Sequence, residues 1–136
     1  MKRSVLSACA AIVQKEIEFY AGFTCLEYDV NDENTMRVAG TGIFRSIIYA
    51  NENQPYSAIE QAKTDRKPVF VRNRNSSICR KCSTNRICTG KAEVVVPLYI
   101  RQAFLGTLSV LCYDEKIHRD MLEHTEYYKN LAVHVG

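Results

Sequence analysis

The sequence has no apolar run approaching the roughly 18 residues that a membrane span requires. It has no internal repeat and no low-complexity segment. A spanning helix, a solenoid and a disordered tail are set aside on those grounds. The constellations of common catalysis are also missing. Gly40-Thr41-Gly42 lacks the third glycine of a dinucleotide loop and the lysine of a phosphate loop, and reads as a turn between strand and helix. At roughly 100° per residue, His118, His124 and His134 would stand about 240° and about 280° apart around one helix and could not converge on one metal. No Ser-His-Asp arrangement presents itself. The expectation is a domain that binds or senses, not an enzyme.

What is present is the composition of a globular domain. The chain has 136 residues, 46% hydrophobic and 24% charged, enough to bury a core in one domain without covalent staples. Lys2 and Arg3 followed by small apolar residues have the outline of an export signal, but the apolar stretch ends at Val13 and the helical period continues through Gln14-Lys15-Glu16. The segment is read as an amphipathic helix of the domain. Six cysteines without an export signal argue against a disulfide framework, and the expected compartment is the cytoplasm. The net charge of +3 is unevenly distributed. Residues 63–91 hold nine basic residues and one acid, Asp65, so that segment stands at +8 and the rest of the chain at −5. The positive charge belongs to one loop region.

Periodicity supplies the elements. Val5, Cys9, Ile12 and Glu16, with Leu6, Val13, Ile17 and Tyr20, predict a helix over 4–20 with one broad apolar face. Residues 23–29 read as a strand, 31–34 as a turn and 36–39 as the returning strand. Residues 43–50 read as helical, and a further helix is expected from Pro55 to about Arg66. Val69-Phe70-Val71 reads as a short buried strand. Residues 93–101 and 104–113 form the clearest hairpin. Val94, Val96, Leu98 and Ile100 fall on one face of its first strand. On the second strand, Leu105, Thr107, Ser109 and Leu111 take one face and Phe104, Leu108, Val110 and Cys112 the other. A last helix runs from about Glu115 to the end. Its residues Ile117, Met121, His124, Tyr128, Leu131 and Val135 alternate at four and three, the spacing of a coiled-coil seam. The pattern is still running where the chain stops, so the chain is expected to be a fragment whose exit helix enters another domain. The seam predicts a homodimer.

The chemistry concentrates between Arg72 and Ala92. This stretch has almost no apolar residues, and it carries Cys79, Cys82 and Cys88. A loop that long is uncommon unless it is functional or disordered. Two thiols separated by two residues can share a metal ion, and a third five or six residues on can join them. Cys112 is the expected fourth ligand, because it ends the strand that pairs with the strand entered at Glu93. Cys9 and Cys25 are expected on core faces. Arg80, Lys81, Arg86 and Lys91 would offset the charge of the thiolates and lower their pKa values. The cofactor expected here is zinc or an iron–sulfur cluster, with metal-free redox thiols as the alternative.

The order of elements resembles a GAF domain, of the kind found N-terminal in bacterial sigma-54-dependent transcriptional activators. The resemblance rests on Gly40-Thr41-Gly42-Ile43-Phe44, Lys67-Pro68-Val69, the thiol group Ile78-Cys79-Arg80-Lys81-Cys82 with Cys88, and Lys91-Ala92-Glu93. It continues through Val96-Pro97-Leu98, Leu105-Gly106-Thr107-Leu108 and Leu111-Cys112-Tyr113, and spans roughly residues 4 to 136. One departure is the turn Arg101-Gln102-Ala103, where a glycine is usual. The resemblance implies an α+β fold with a six-stranded antiparallel sheet and helices on its faces. It also implies regulation of transcription, with downstream ATPase and DNA-binding domains in the same chain and no direct nucleic-acid contact by this domain. Two other functions stay open. The domain could sense a small metabolite, in a pocket lined by Phe44, Tyr49, Tyr56 and Phe70, with a structural cysteine site. A zinc-ordered basic loop could instead bind nucleic acid through Arg72, Arg74, Arg80, Lys81 and Arg86.

Overall fold

A high density of β-branched and other apolar residues makes residues 92–112 the strongest strand former in the chain, and they form the middle of the sheet. Strand β1 spans Glu27–Asp32, β2 Arg37–Gly40, β3 Val69–Val71, β4 Ala92–Ile100 and β5 Ala103–Cys112. The sheet order is β2-β1-β5-β4-β3, and every pairing is antiparallel. The computed structural model describes residues 4–48, 58–71 and 91–136. Among these there are five strands, where six were expected. The β4–β5 turn needs no glycine, because Arg101 itself takes φ 57°, the left-handed conformation a tight hairpin requires.

The first helical region is two segments, α1 (Val5–Ala8) and α2 (Ala10–Thr24). Ser4 caps α1 by accepting from the Ser7 N–H at 3.1 Å, and its hydroxyl donates to Asp32 Oδ2 at 2.8 Å. Helix α2 runs four residues beyond the expected end and displaces the expected start of β1. Phe23 and Thr24 have strand-like composition, yet Phe23 stacks on Phe19 along the helix and the Thr24 hydroxyl donates to the Tyr20 carbonyl at 2.7 Å. Cys25 then closes α2 at φ 61°. The expected turn at 31–34 lies two residues later. Asn31 and Asp32 end β1, and Asp32 Oδ1 accepts from the N–H groups of Asn34 at 2.9 Å and Met36 at 3.0 Å. Residues Gly42–Ile47 form a 3₁₀ segment, and Ala58–Asp65 form α3. The start expected for α3 at Pro55 lies outside the described residues.

The two sides of the sheet differ. On one side Tyr28, Val30, Val94, Val96, Leu108, Val110 and Cys112 pack with Leu6 and Ile17 of α1 and α2. The chain's last two helices, α4 (Glu115–Glu123) and α5 (Thr125–Val135), pack on this side too. Asp114 caps α4 by accepting from the N–H groups of Lys116 and Ile117. The exit helix is therefore not continuous, since His124 breaks it at φ −127° and ψ 50°. The expected seam faces inward. Met121 is 0% and Tyr128 9% exposed, and Ile117, Leu131 and Val135 pack against the same core, while His124 is exposed. A helix lying on its own sheet and a helix paired with a partner bury residues at the same three- and four-residue spacing.

The other side carries Val69, Val71 and Val95 under Ala58, Ile59 and Ala62 of α3. Toward β1 and β2 this side turns polar. Arg37 Nε donates to Asp29 Oδ1 at 2.6 Å and its NH2 to Oδ2 at 3.0 Å, and both side chains are 1% exposed. The pair ties β2 to β1 across a diagonal of the ladder.

Two outcomes follow from this packing. Met121→Glu places a charge in the core and should destabilise the fold by about 4 kcal/mol or more in urea denaturation; a folded, dissociated domain would show that α4 faces a partner instead. Arg37→Met leaves the Asp29 carboxylate buried alone and should cost roughly 3–5 kcal/mol. Adding Asp29→Leu to that variant should recover most of the loss, and additive losses would mean that the two residues do not act as a pair.

Candidate functional site

Strand register lines up a set of polar side chains on the α3 side of the sheet. Asn31 stands opposite Arg37 on β2 and opposite Thr107 on β5, and Thr107 stands opposite Pro97 on β4. Two residues along, Asp29 stands opposite Ser109, and Ser109 opposite Val95. Residues paired across antiparallel strands share a face and lie about 4.5–5.5 Å apart at Cα. Asp29, Asn31, Arg37, Thr107 and Ser109 are each at most 1% exposed. The 3₁₀ segment packs on β1 and β2, and α3 packs on β3, β4 and β5, so the polar rows lie between them.

Two of the five satisfy each other, as the Arg37–Asp29 pair. The Arg37 guanidinium also lies 4.8 Å from the centroid of the Phe44 ring, so it sits between a carboxylate and an aromatic face. The other three do not find partners. Both polar atoms of the Asn31 carboxamide and the hydroxyls of Thr107 and Ser109 are buried with no hydrogen-bond partner among the described residues. A buried polar group without a partner costs roughly 1–3 kcal/mol, and such groups are few in native proteins. Three of them lie on adjacent register positions of two neighbouring strands.

The site is coupled to α2. The Gln14 side chain accepts from Gly40 N–H at 3.0 Å and donates to Gly40 C=O at 2.9 Å, pairing with the outer edge of β2 as a short strand would. Gly40 cannot be replaced there, because an added Cβ would lie 2.5 Å from the Phe44 Cβ. A shallow cleft between α2 and the 3₁₀ segment is lined by Glu18, Glu27, Thr41 and Arg45 among others. Its Glu18–Arg45 ion pair, at 2.9 Å, is largely solvent-exposed, and Thr41 donates to Glu27 within it.

The residues singled out in the sequence fare variously. Cys79, Cys82 and Cys88 lie outside the described residues, as do Tyr49, Tyr56 and the basic residues Arg72, Arg74, Arg80, Lys81 and Arg86. The expected adjacency of Cys112 to the end of the cysteine-bearing stretch is present: Ala92 pairs with Cys112, and Lys91 N–H donates to the Cys112 carbonyl at 2.8 Å. The Cys112 side chain, however, is 0% exposed in the helix-side core, and burial pushes its thiol pKa up, against the thiolate that a metal ligand needs. Cys9 and Cys25, expected on core faces, are exposed. Among the described residues no group of three His, Cys, Asp or Glu side chains converges. Phe44 and Phe70 do not share a pocket. Phe44 lies beside Arg37, whereas alternation along β3 sends Phe70 to the helix-side core, away from Val69 and Val71. The polar rows escaped the sequence reading because Asn31-Asp32 has the composition of a turn. Their signal was alternation: Asp29 and Asn31 interleave with Tyr28 and Val30, as Thr107 and Ser109 do with Leu108 and Val110.

No protein-family model matches the chain. A protein of Escherichia coli K12 named as a proposed uric acid sigma-54-dependent transcriptional regulator, UacR, is 23% identical over 137 residues, covering 96% of this chain. The chain spans 23% of the length of that relative. Two solved structures are similar in fold. The type II free methionine-R-sulfoxide reductase from Thermoplasma acidophilum superposes with a TM-score of 0.59 at 14% identity, over 93% of this chain and 89% of that one. The GAF domain of a two-component sensor histidine kinase from Bacillus halodurans superposes with a TM-score of 0.57 at 13% identity, over 92% of each chain. No helix among the described residues is long and apolar enough to cross a membrane. An antiparallel sheet with α1, α2, α4 and α5 on one side and α3 on the other, and these superpositions, give the chain the fold of a GAF domain.

Proposed function

We propose that this chain is the signal-sensing domain of a sigma-54-dependent transcriptional regulator, and that its input is a small polar molecule held on the α3 side of the sheet. One observation carries the proposal: Asn31, Thr107 and Ser109 are fully buried and lack partners among the described residues. A fold gains nothing from such groups, whereas a bound molecule could satisfy all three. Recognition, not catalysis, is the role of these side chains, since an amide and two hydroxyls offer hydrogen bonds but no group poised to transfer a proton at neutral pH.

The output runs through α1 and α2. Val5, Cys9, Ile12, Glu16, Phe19 and Phe23 alternate at four and three residues, and every one of them is exposed. Ile12 and Phe19 are each 68% and Phe23 is 78% exposed. This is the spacing of a helix-pairing seam, and its proposed occupant is the same helix of a second copy. Gln14 joins that helix to Gly40, beside Phe44 and Arg37, so a change at the ligand site has a direct mechanical route to the dimer. Cys79, Cys82 and Cys88 remain a second proposed input, as ligands of zinc or an iron–sulfur cluster. Metal analysis of protein purified without oxygen, before and after Cys82→Ser, tests it; no metal in either sample removes it.

The ligand proposal can be tested before any ligand is known. Replacing an unsatisfied buried amide with an apolar group of similar size removes a desolvation cost, and a binding group given up for stability is a familiar exchange. Asn31→Leu and Thr107→Val should each raise the melting temperature of the empty domain, by several degrees for a gain of roughly 1 kcal/mol. Uric acid is the first compound to add, and it should stabilise the unmodified chain and not Asn31→Leu. Two variants that are both less stable than the unmodified chain would sink the ligand site. The dimer has its own test. Ile12→Glu with Phe19→Glu should give a folded monomer in sedimentation, and an unmodified domain already monomeric at high concentration would remove the seam.

A further inference from the structure

Resting on the ligand site proposed above, we infer that the molecule it takes is a cyclic amide: a flat ring that carries N–H beside C=O on one edge, as lactams, imides and cyclic ureides do. Three features of the site specify this class.

The first is the Asn31 carboxamide. It presents one acceptor and one donor side by side in a plane, and both atoms lack partners among the described residues. Its complement is a neighbouring donor and acceptor in one plane, the geometry by which Asn reads the edge of adenine. An open-chain secondary amide cannot supply that edge, because its trans bond points N–H and C=O in opposite directions. A ring holds the bond cis and points both groups the same way.

The second is the charge. Arg37 gives two N–H groups to Asp29, and both side chains are buried. The cation and the anion beside Asn31 thus neutralise each other, and the further charges that register places on this face, Glu27 and Glu93, are negative. A carboxylate or a phosphate would be desolvated here with no free cation among the charges named to receive it, at high cost. A neutral ring, or one whose charge is spread over several oxygens, would not.

The third is the spacing of what remains. Thr107 stands opposite Asn31, and Ser109 lies two residues further along the same strand, opposite Asp29. Two residues of strand advance about 6.6 Å, close to the width of a fused bicyclic ring. The hydroxyls can each donate or accept, so they can meet further carbonyl or N–H groups on a ring anchored at Asn31. The flanking surface toward β3 is apolar, from Val69, Val95 and Ile59, as the face of a flat ring requires.

The test uses the 136-residue chain and calorimetric titration with uracil, hydantoin and xanthine, their N-methylated counterparts, and acetate, L-valine and inorganic phosphate. At least one cyclic amide should bind. Methylating its edge nitrogen should weaken binding tenfold or more, because the Asn31 acceptor loses its donor. Asn31→Asp, which exchanges the amide donor for an acceptor, should weaken it by a similar factor, and Thr107→Val and Ser109→Ala by several-fold each. If acetate, valine or phosphate binds in an Asn31-dependent way and no cyclic amide does, the ligand class is wrong while the site stands. Cyclic amides that bind the Asn31→Leu variant as well as the unmodified chain overturn the inference, as does the absence of binding by all of them. Loss of stability in both Asn31→Leu and Thr107→Val takes down the site and the ligand class together.

Discussion

Burying Asp29, Arg37, Asn31, Thr107 and Ser109 on one side of the sheet is the constraint to which the remaining structure answers. A sheet faced with helices on both sides would ordinarily bury apolar residues on both. Here the helix side does so, with Tyr28, Val30, Val94, Val96, Leu108, Val110 and Cys112 in one continuous core. That core must supply the stability that the α3 side lacks. Two charges survive burial on the α3 side because each is the other's partner in bidentate geometry, and because the Phe44 ring covers the guanidinium. A buried ion pair of this kind contributes little net stability compared with well-packed apolar residues. What it provides is a fixed pair of groups with no net charge between them.

The same arrangement places the polar rows close to the exposed stripe of α2 without direct contact between them. Gln14 makes two hydrogen bonds to Gly40, and Gly40 lies against Phe44 with no room for a side chain. Phe44 meets Arg37, and Arg37 stands opposite Asn31 on the next strand. The steps from Gln14 to Phe44 are a doubly hydrogen-bonded contact and a close packing contact, and the last is a strand pairing. Arg37 in the middle is held by two hydrogen bonds to Asp29, and packed interiors transmit small shifts.

The sequence made some of this legible. The β4–β5 hairpin and β3 were found within a residue or two, and the faces of Val94, Val96, Thr107, Leu108, Ser109 and Val110 are those expected; toward the turn a register shift between Leu98 and Tyr99 exchanges the faces, so that Leu105 packs on the helix-side core and Phe104 lies under Arg66. The broad apolar face of the first helix proved to be two faces. Leu6, Val13, Ile17 and Tyr20 point inward, while Val5, Ile12 and Phe19 point out. Composition does not separate a core stripe from an exposed apolar stripe on the same helix. The seam of the exit helix had the right period and the wrong partner, since a sheet and a second helix select the same spacing. Phe23, Thr24 and Cys25 read as strand because their side chains favour it, and local bonding along α2 overrode that preference. The buried polar rows were hidden for a further reason. In a single sequence a polar residue in a strand signals the solvent side or a turn, and only the register of Asn31 against Thr107 and Arg37 shows that it is covered.

Val71 pairs with Glu93 on adjacent strands, so the chain leaves β3 and re-enters β4 at one edge of the sheet, whatever lies between. Lengthening a segment that joins two paired strand ends costs roughly 0.6 kcal/mol for each doubling. The pairing of β3 with β4 thus constrains the length of the stretch that carries Cys79, Cys82 and Cys88 only weakly. Descendants of such a chain could lose, gain or rearrange those thiols while keeping the sheet, the α2 stripe and the polar rows unchanged. In evolutionary terms the fold has one slowly drifting part, fixed by the geometry between β2 and β5, and one open to rapid turnover beside it. Divergence among related chains should therefore concentrate between Val71 and Lys91 before it touches Asn31, Arg37 or Thr107.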